Sequence, residues 1–185
     1  MIMIVDRANK TIKLKIVYYG PAMSGKTTSL KALLKELGYD DHVRSVETTT
    51  GRTLFFDFGV IKLKFDDWTL EVNLWTATGQ DYYAGTRYTI LRGTDGVIFV
   101  ADGQRTCIEL NKKCWEELKR VIKRSTALLF CINKCDLNGV ISPEELKSAL
   151  GLGDEVEVMR TSAITGMGVK EAFETLLLKI LENIG

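Results

Sequence analysis

With 185 residues and 45% hydrophobic content, the chain is long enough to bury one sizeable core and too short for two full-sized domains. Its 25 basic and 24 acidic side chains nearly cancel, which removes any global field for recruiting nucleic acid or an anionic membrane. Apolar stretches such as Gly96 to Ala101 and Ala127 to Ile132 fall far below the roughly 18 residues of a membrane span, and the start carries no secretory block, no glycine at position 2 and no targeting pattern. The expectation is one cytoplasmic domain.

In chain order, Ile12 to Tyr19 reads as a strand, followed by a glycine-containing loop and a helix from Lys26 to Leu37 that stops at Gly38. Tyr39 to Gly51 is polar and threonine-rich, with no apolar period, and reads as a mobile segment. Leu54 to Phe65 and Thr69 to Trp75 are rich in aromatic and branched residues and predict an antiparallel hairpin turning at Asp66 and Asp67. Strands at Val97 to Ala101, Ala127 to Ile132 and Val156 to Met159 then alternate with helices at Ile108 to Lys123, from Pro143, and at the C-terminus. Ser142, Pro143 and Glu145 form an N-cap, first-turn proline and capping-box acid, and Val169, Ala172, Phe173, Leu176, Leu177, Ile180 and Ile184 recur at helical spacing as core. The basic residues between Lys112 and Arg124 read as a solvated face, with Glu116 placed to pair with Arg120. Cys107, Cys114, Cys131 and Cys135 lack paired C-x-x-C spacing and read as reduced thiols without zinc. The architecture predicted is a three-layer α/β sandwich around one sheet.

Chemistry concentrates in a few loops. Gly20 to Thr27, GPAMSGKT, fits G-x-x-x-x-G-K-[ST] between a strand and a helix, where loop amides from Gly20, Ala22, Met23, Ser24 and Gly25 through Lys26, Thr27 and Thr28 converge on phosphates at a helix N-terminus. Lys26 is then placed to bridge the β and γ phosphates, and Thr27 supplies a hydroxyl for Mg2+. Asn133, Lys134 and Asp136 sit in NKCD at the end of an apolar strand, where ligands lie in open α/β sheets. A carboxylate there can accept from both the ring N–H and the amine of guanine, a pair that adenine does not offer. A later strand leads into Thr161, Ser162 and Ala163, which puts a backbone amide near Ala163 within reach of the guanine carbonyl oxygen. Gly79 and Gln80 follow another strand on the same sheet edge; a glycine amide there can sense a γ phosphate, and a glutamine can position the attacking water. A small-molecule kinase with a P-loop is the competing reading, and the NKCD and TSA segments argue against it.

On KIVYYGPAMSGKTTSLK, RTLFFDF, TATGQ, LRGTDGVIFVAD, NKCD and TSA together, the chain resembles the Ras-like small GTPases over nearly its whole length. Within them it looks closest to the bacterial mutual gliding-motility (MglA) polarity branch and its archaeal relatives. That resemblance implies a P-loop NTPase fold with a mostly parallel six-stranded sheet, one antiparallel edge strand and an additional N-terminal strand. It implies a GTP/GDP switch that uses Mg2+, with switch segments at about 43–53 and 76–88. Thr53 becomes the second magnesium-binding threonine, and Arg52 an arginine supplied in cis to the γ phosphate, beside Gln80 and Lys26 as the catalytic set. A roadblock-type (MglB-like) regulatory protein or another GTPase activator is the implied partner; the expected state is a monomer, with a dimer as the alternative. Four positions bear on the rate. Thr76 stands where most Ras-like proteins carry a magnesium-site aspartate, with Asp57 as candidate substitute; Ala22 replaces a glycine, and Thr78 replaces the branch's proline. The C-terminal LENIG has no cysteine for prenylation.

Overall fold

The computed structural model describes residues 3–39, 44–45, 57–77 and 84–182. Eight strands form one sheet in the order β3-β4-β5-β2-β6-β7-β8, with β1 paired to β2 off that path. They are β1 (Ile4–Asp6), β2 (Thr11–Tyr19), β3 (Arg44–Ser45), β4 (Asp57–Phe65), β5 (Trp68–Thr76), β6 (Gly96–Asp102), β7 (Ala127–Asn133) and β8 (Val158–Arg160). The helices are α1 (Lys26–Glu36), α2 (Ala84–Leu91), α3 (Ile108–Lys119), α4 (Pro143–Leu150) and α5 (Val169–Glu182). Strands β5, β2, β6, β7 and β8 run parallel, whereas β4 pairs antiparallel with β5.

Strict alternation along the central strands creates the three layers. On β2, Leu14, Ile16 and Tyr18 face the core shared with α1 and α5, and Val17 and Tyr19 face the core shared with α3 and α4. On β6 and β7, Ile98, Val100, Leu129 and Cys131 take the first side, while Val97, Phe99, Phe130 and Ile132 take the second. The second core is aromatic: the Trp115 ring meets Phe130 edge-on at 5.0 Å between centroids, and Phe99 at 6.1 Å. Cys114 and Cys131 are buried in these two cores, and burial pushes the Cys131 thiol up to about 12.

The differences from the sequence reading have local causes. The predicted six-stranded sheet gains the N-terminal β1, which was expected, and the two-residue β3, which was not; β3 lies in the polar 39–51 segment, where two residues leave no period to read. Helix α3 stops at Lys119, four residues early, because the Arg120 and Val121 amides turn back to Glu117 and Leu118 in tighter bonds. Strand β8 starts two residues late, since the Val156 amide closes a turn onto Gly153. Helix α2 begins within the segment read as a switch, about 76–88, and runs past it to Leu91. Glu116 pairs with Lys119 at 2.6 Å, one turn back, and not with Arg120. The start of the predicted strand at Leu54 and the end of the chain past residue 182 lie outside the described residues.

The N-terminal strand is held by one acid. Asp95 accepts the Met3 amide at 2.9 Å on one oxygen and the Lys15 amide at 2.8 Å on the other. Burial holds its carboxyl above the usual range, with the two N–H donors pulling the other way. At the other end of the chain, the capping box forms as predicted: Glu145 N donates to Ser142 Oγ at 3.2 Å, and Ser142 N donates to Glu145 Oε2 at 2.7 Å. No helix among the described residues is long and apolar enough to cross a membrane.

Phe173, 1% exposed, anchors α5 to the sheet. Phe173→Ala should cost about 3–5 kcal/mol in chemical denaturation, at the upper end of core truncations.

Candidate functional site

The functional loops all leave the C-terminal ends of β2, β5, β7 and β8. Between β2 and α1, the chain turns through Gly20 at φ 147°, Met23 at φ 61° and Gly25 at φ 99°. A Cβ on Gly20 would lie 2.2 Å from the Val100 carbonyl oxygen, and one on Gly25 would lie 2.1 Å from Asn133 Nδ2, so both positions require glycine for close approach as well as for conformation. Ala22 and Met23 are exposed on the rim of this loop, Met23 at 89%. Lys26 is buried and folds over the loop, its Nζ donating to the carbonyls of Gly20 at 2.9 Å and Pro21 at 2.6 Å.

Asn133, at the end of β7, ties this loop to the next ones. Its Nδ2 donates to the Ser24 carbonyl at 2.8 Å, while its Oδ1 accepts from the Ala163 amide at 2.9 Å and from Thr161 Oγ1 at 3.3 Å. Ser162, also buried, donates through its hydroxyl to Asp136 Oδ1 at 2.6 Å, which orients a carboxylate on the exposed surface. Lys134 carries a left-handed backbone at φ 68° and pairs with Asp102 Oδ2 at 2.6 Å. An adjoining cleft of about 850 Å³ runs between α1 and the loop after β8, lined by Thr28, Lys31, Lys35, Ala163, Ile164 and Thr165. The NKCD, TSA and phosphate-loop residues named from sequence thus meet at one sheet edge, braced by a single side-chain amide. With that brace in view, the comparison with known proteins is direct: the Ras family profile matches residues 15–182.

The chain belongs to the Ras family. It is 33% identical over 189 residues to the mutual gliding-motility protein MglA of Myxococcus xanthus (strain DK1622), covering 97% of this chain and 96% of that one. It is 27% identical over 182 residues to the Ras-related protein RABA5e of Arabidopsis thaliana, covering 97% and 79%. This Ras-family chain is therefore a small GTPase of the P-loop, GTP-binding type.

A second cluster lies at the start of α1, where β4 meets the end of β5. Asp57, at the start of β4, accepts the Thr27 hydroxyl at 2.5 Å and the Thr76 hydroxyl at 3.3 Å on the same oxygen, while its own amide donates to Thr76 Oγ1 at 2.8 Å. Antiparallel pairing of β4 with β5, in the register that sets Phe58 opposite Trp75, brings Asp57 to Thr76. The carboxylate is therefore turned inward against the phosphate loop, not out to solvent. All donors here are hard oxygens, which suits Mg2+; among the described residues no group of three or more His, Cys, Asp or Glu could hold a metal by itself, so phosphate and water oxygens would have to complete the coordination. Arg52, Thr53, Thr78, Gly79 and Gln80 lie outside the described residues, as do all of the segment 43–53 but 44–45 and, in the segment 76–88, residues 78–83.

Sequence reasoning missed Asp102, Gln104 and Asn111, which surround Lys134 and the end of β6. The apolar run before Asp102 hid the one signal available, a charged residue closing a wholly buried strand. Gly25→Ala should collapse the junction with Asn133: purified protein should lose bound guanine nucleotide and melt several degrees lower by differential scanning fluorimetry, since about 1 kcal/mol moves Tm by a few degrees in a domain of this size.

Proposed function

We propose that this GTPase binds GTP and GDP with Mg2+, hydrolyses GTP, and presents segments 43–53 and 76–88 to partner proteins in a nucleotide-dependent form. The observation that carries the reading is the Asn133 side chain, which fixes the phosphate loop and the base-reading loops in one frame. Asp136, oriented by Ser162, accepts from the two guanine donors, a backbone amide near Ala163 reaches the carbonyl oxygen, and Lys134 flanks the base.

Loop amides from Ala22 to Thr28 and the N-terminus of α1 hold the phosphates. On nucleotide binding, the Lys26 ammonium exchanges its carbonyl partners for β and γ phosphate oxygens. Thr27 and Thr53 would hold Mg2+ directly, with Asp57 in the place of the missing aspartate at Thr76, accepting from a coordinated water or from Thr27 itself. Bound there, the ion supplies charge neutralisation between the β and γ phosphates. Gln80 orients the attacking water, Gly79 senses the γ phosphate, and Arg52 stabilises charge on the transferred group. Water attacks the γ phosphorus as the bond to the bridging oxygen breaks, which leaves GDP and inorganic phosphate.

Likeness to MglA supports a roadblock-type (MglB-like) activator as the partner class. The protein is read as cytoplasmic, as a monomer or a dimer; its balanced charge supports the lack of any global field for nucleic acid or an anionic membrane, so membrane contact would come through partners.

Single-turnover GTP hydrolysis in excess Mg2+ tests the catalytic set. Arg52→Ala and Gln80→Leu should each fall at least about tenfold below wild type while still retaining GTP; three equal rates near background would favour a nucleotide-loaded scaffold that depends on an activator. Displacement of bound GTP by equimolar ATP would instead restore the kinase reading.

Asp57→Ala, in a titration of nucleotide retention against magnesium, should raise the half-saturating concentration by about tenfold, a loss of one oxygen contact worth roughly 1.4 kcal/mol. An unchanged midpoint removes Asp57 from the metal site.

A further inference from the structure

Asp102 closes β6, the strand beside the phosphate loop, and is 3% exposed. Its Oδ2 accepts from Lys134 Nζ at 2.6 Å and its Oδ1 from the Gln104 amide at 3.0 Å. Its backbone is gripped separately: the Asp102 amide donates to Asn111 Oδ1 at 2.9 Å, and Asn111 Nδ2 donates to the Asp102 carbonyl at 2.9 Å. Asn111 is fully buried on α3, so the helix imitates a neighbouring strand at this one residue.

The pair is asymmetric. The Asp102 side chain is 4% exposed and the Lys134 side chain 26%, so the carboxylate is the fixed member and the lysine the member that is held. A side chain fixed from two directions in a dry setting is screened far less than a surface pair. Lys134 also needs holding. Its φ of 68° is one that L residues with a Cβ seldom adopt, so tertiary contacts and not local preference set the turn from Asn133 to Asp136. The Leu137 amide closes that turn onto the Lys134 carbonyl at 2.9 Å, and the Cys135 amide ties it to the Thr161 carbonyl at 3.0 Å.

We propose that Asp102 is a positioning residue that sets nucleotide residence time by holding Lys134, and with it the turn that carries Asp136, in the base-retaining geometry. The inference rests on the guanine-nucleotide reading above. Through Asn111 the backbone of Asp102 is fixed to α3, which links the residue that holds Lys134 to a helix on the far side of β6. A ligand that shifted α3 against β6 would act on nucleotide release by moving the Asp102 backbone, and with it the carboxylate that holds Lys134.

The test is release of fluorescent GDP from the preloaded full-length chain at low temperature, for wild type, Asp102→Asn, Lys134→Met and the double variant. Asp102→Asn keeps shape and removes charge, and should release GDP at least about tenfold faster than wild type. In the double variant release should match Lys134→Met alone, because both changes delete the same pair. Release from Asp102→Asn at the wild-type rate, or effects that multiply in the double variant, overturns the proposal. Gln104 offers an independent route: its exposed side chain accepts from the same ammonium at 3.3 Å. Gln104→Ala should accelerate release by a smaller factor, and not at all in the Lys134→Met background. If Asp102→Asn does not load, no acceleration by Gln104→Ala is the overturning result. Wild type that retains no GDP sinks the nucleotide reading together with this proposal, whereas wild-type retention with indifferent variants sinks the proposal alone.

Discussion

One side-chain amide sets the frame on which the site depends. Asn133 satisfies a carbonyl of the phosphate loop with its nitrogen and an amide and a hydroxyl of the loop after β8 with its oxygen. A buried carboxamide has donors on one end and acceptor lone pairs on the other, so it joins two loops of opposite need. Gly25 answers this constraint, since any side chain there would occupy the amide's position. The distance between phosphate-holding and base-reading groups is thereby built into the core rather than left to the ligand.

The sheet supplies the rest. Parallel strands buried on both faces end at a common edge, and the described loops that leave β2, β7 and β8 converge there because the strands are in close register. Where β4 turns antiparallel against β5, the pairing brings Asp57 across to Thr76 and Thr27, a carboxylate contributed from a neighbouring strand to a site whose own strand offers only a hydroxyl. On the reading proposed above, Asp57 would supply from the next strand the carboxylate that Thr76 does not.

What could be read from sequence was what chemistry forces into contiguous residues. GPAMSGKT and NKCD were legible because the groups proposed to hold phosphate and to read the base each fall in one short contiguous run, and the central strands because burial on both faces makes them uniformly apolar. Asp57 was ambiguous, since a polar residue on a strand reads the same whether it faces water or a loop; only pairing with β5 decides. Asp102 and Asn111 were silent, because their bond spans from a strand end to a helix face and neither residue is unusual in its own neighbourhood. Helix α2 and the two-residue β3 were missed where tertiary contacts override a weak local pattern.

The lysine of the phosphate loop has a kinetic meaning. With its ammonium already resting on the carbonyls of Gly20 and Pro21, its four-carbon stem is ordered before any ligand arrives, and the loop's curvature is held from within. Capture of a triphosphate then becomes an exchange of partners by a group already in place, not a search by a free side chain. The rotamer entropy is lost at folding instead of at encounter, so a ligand that took over these hydrogen bonds would not have to order the side chain.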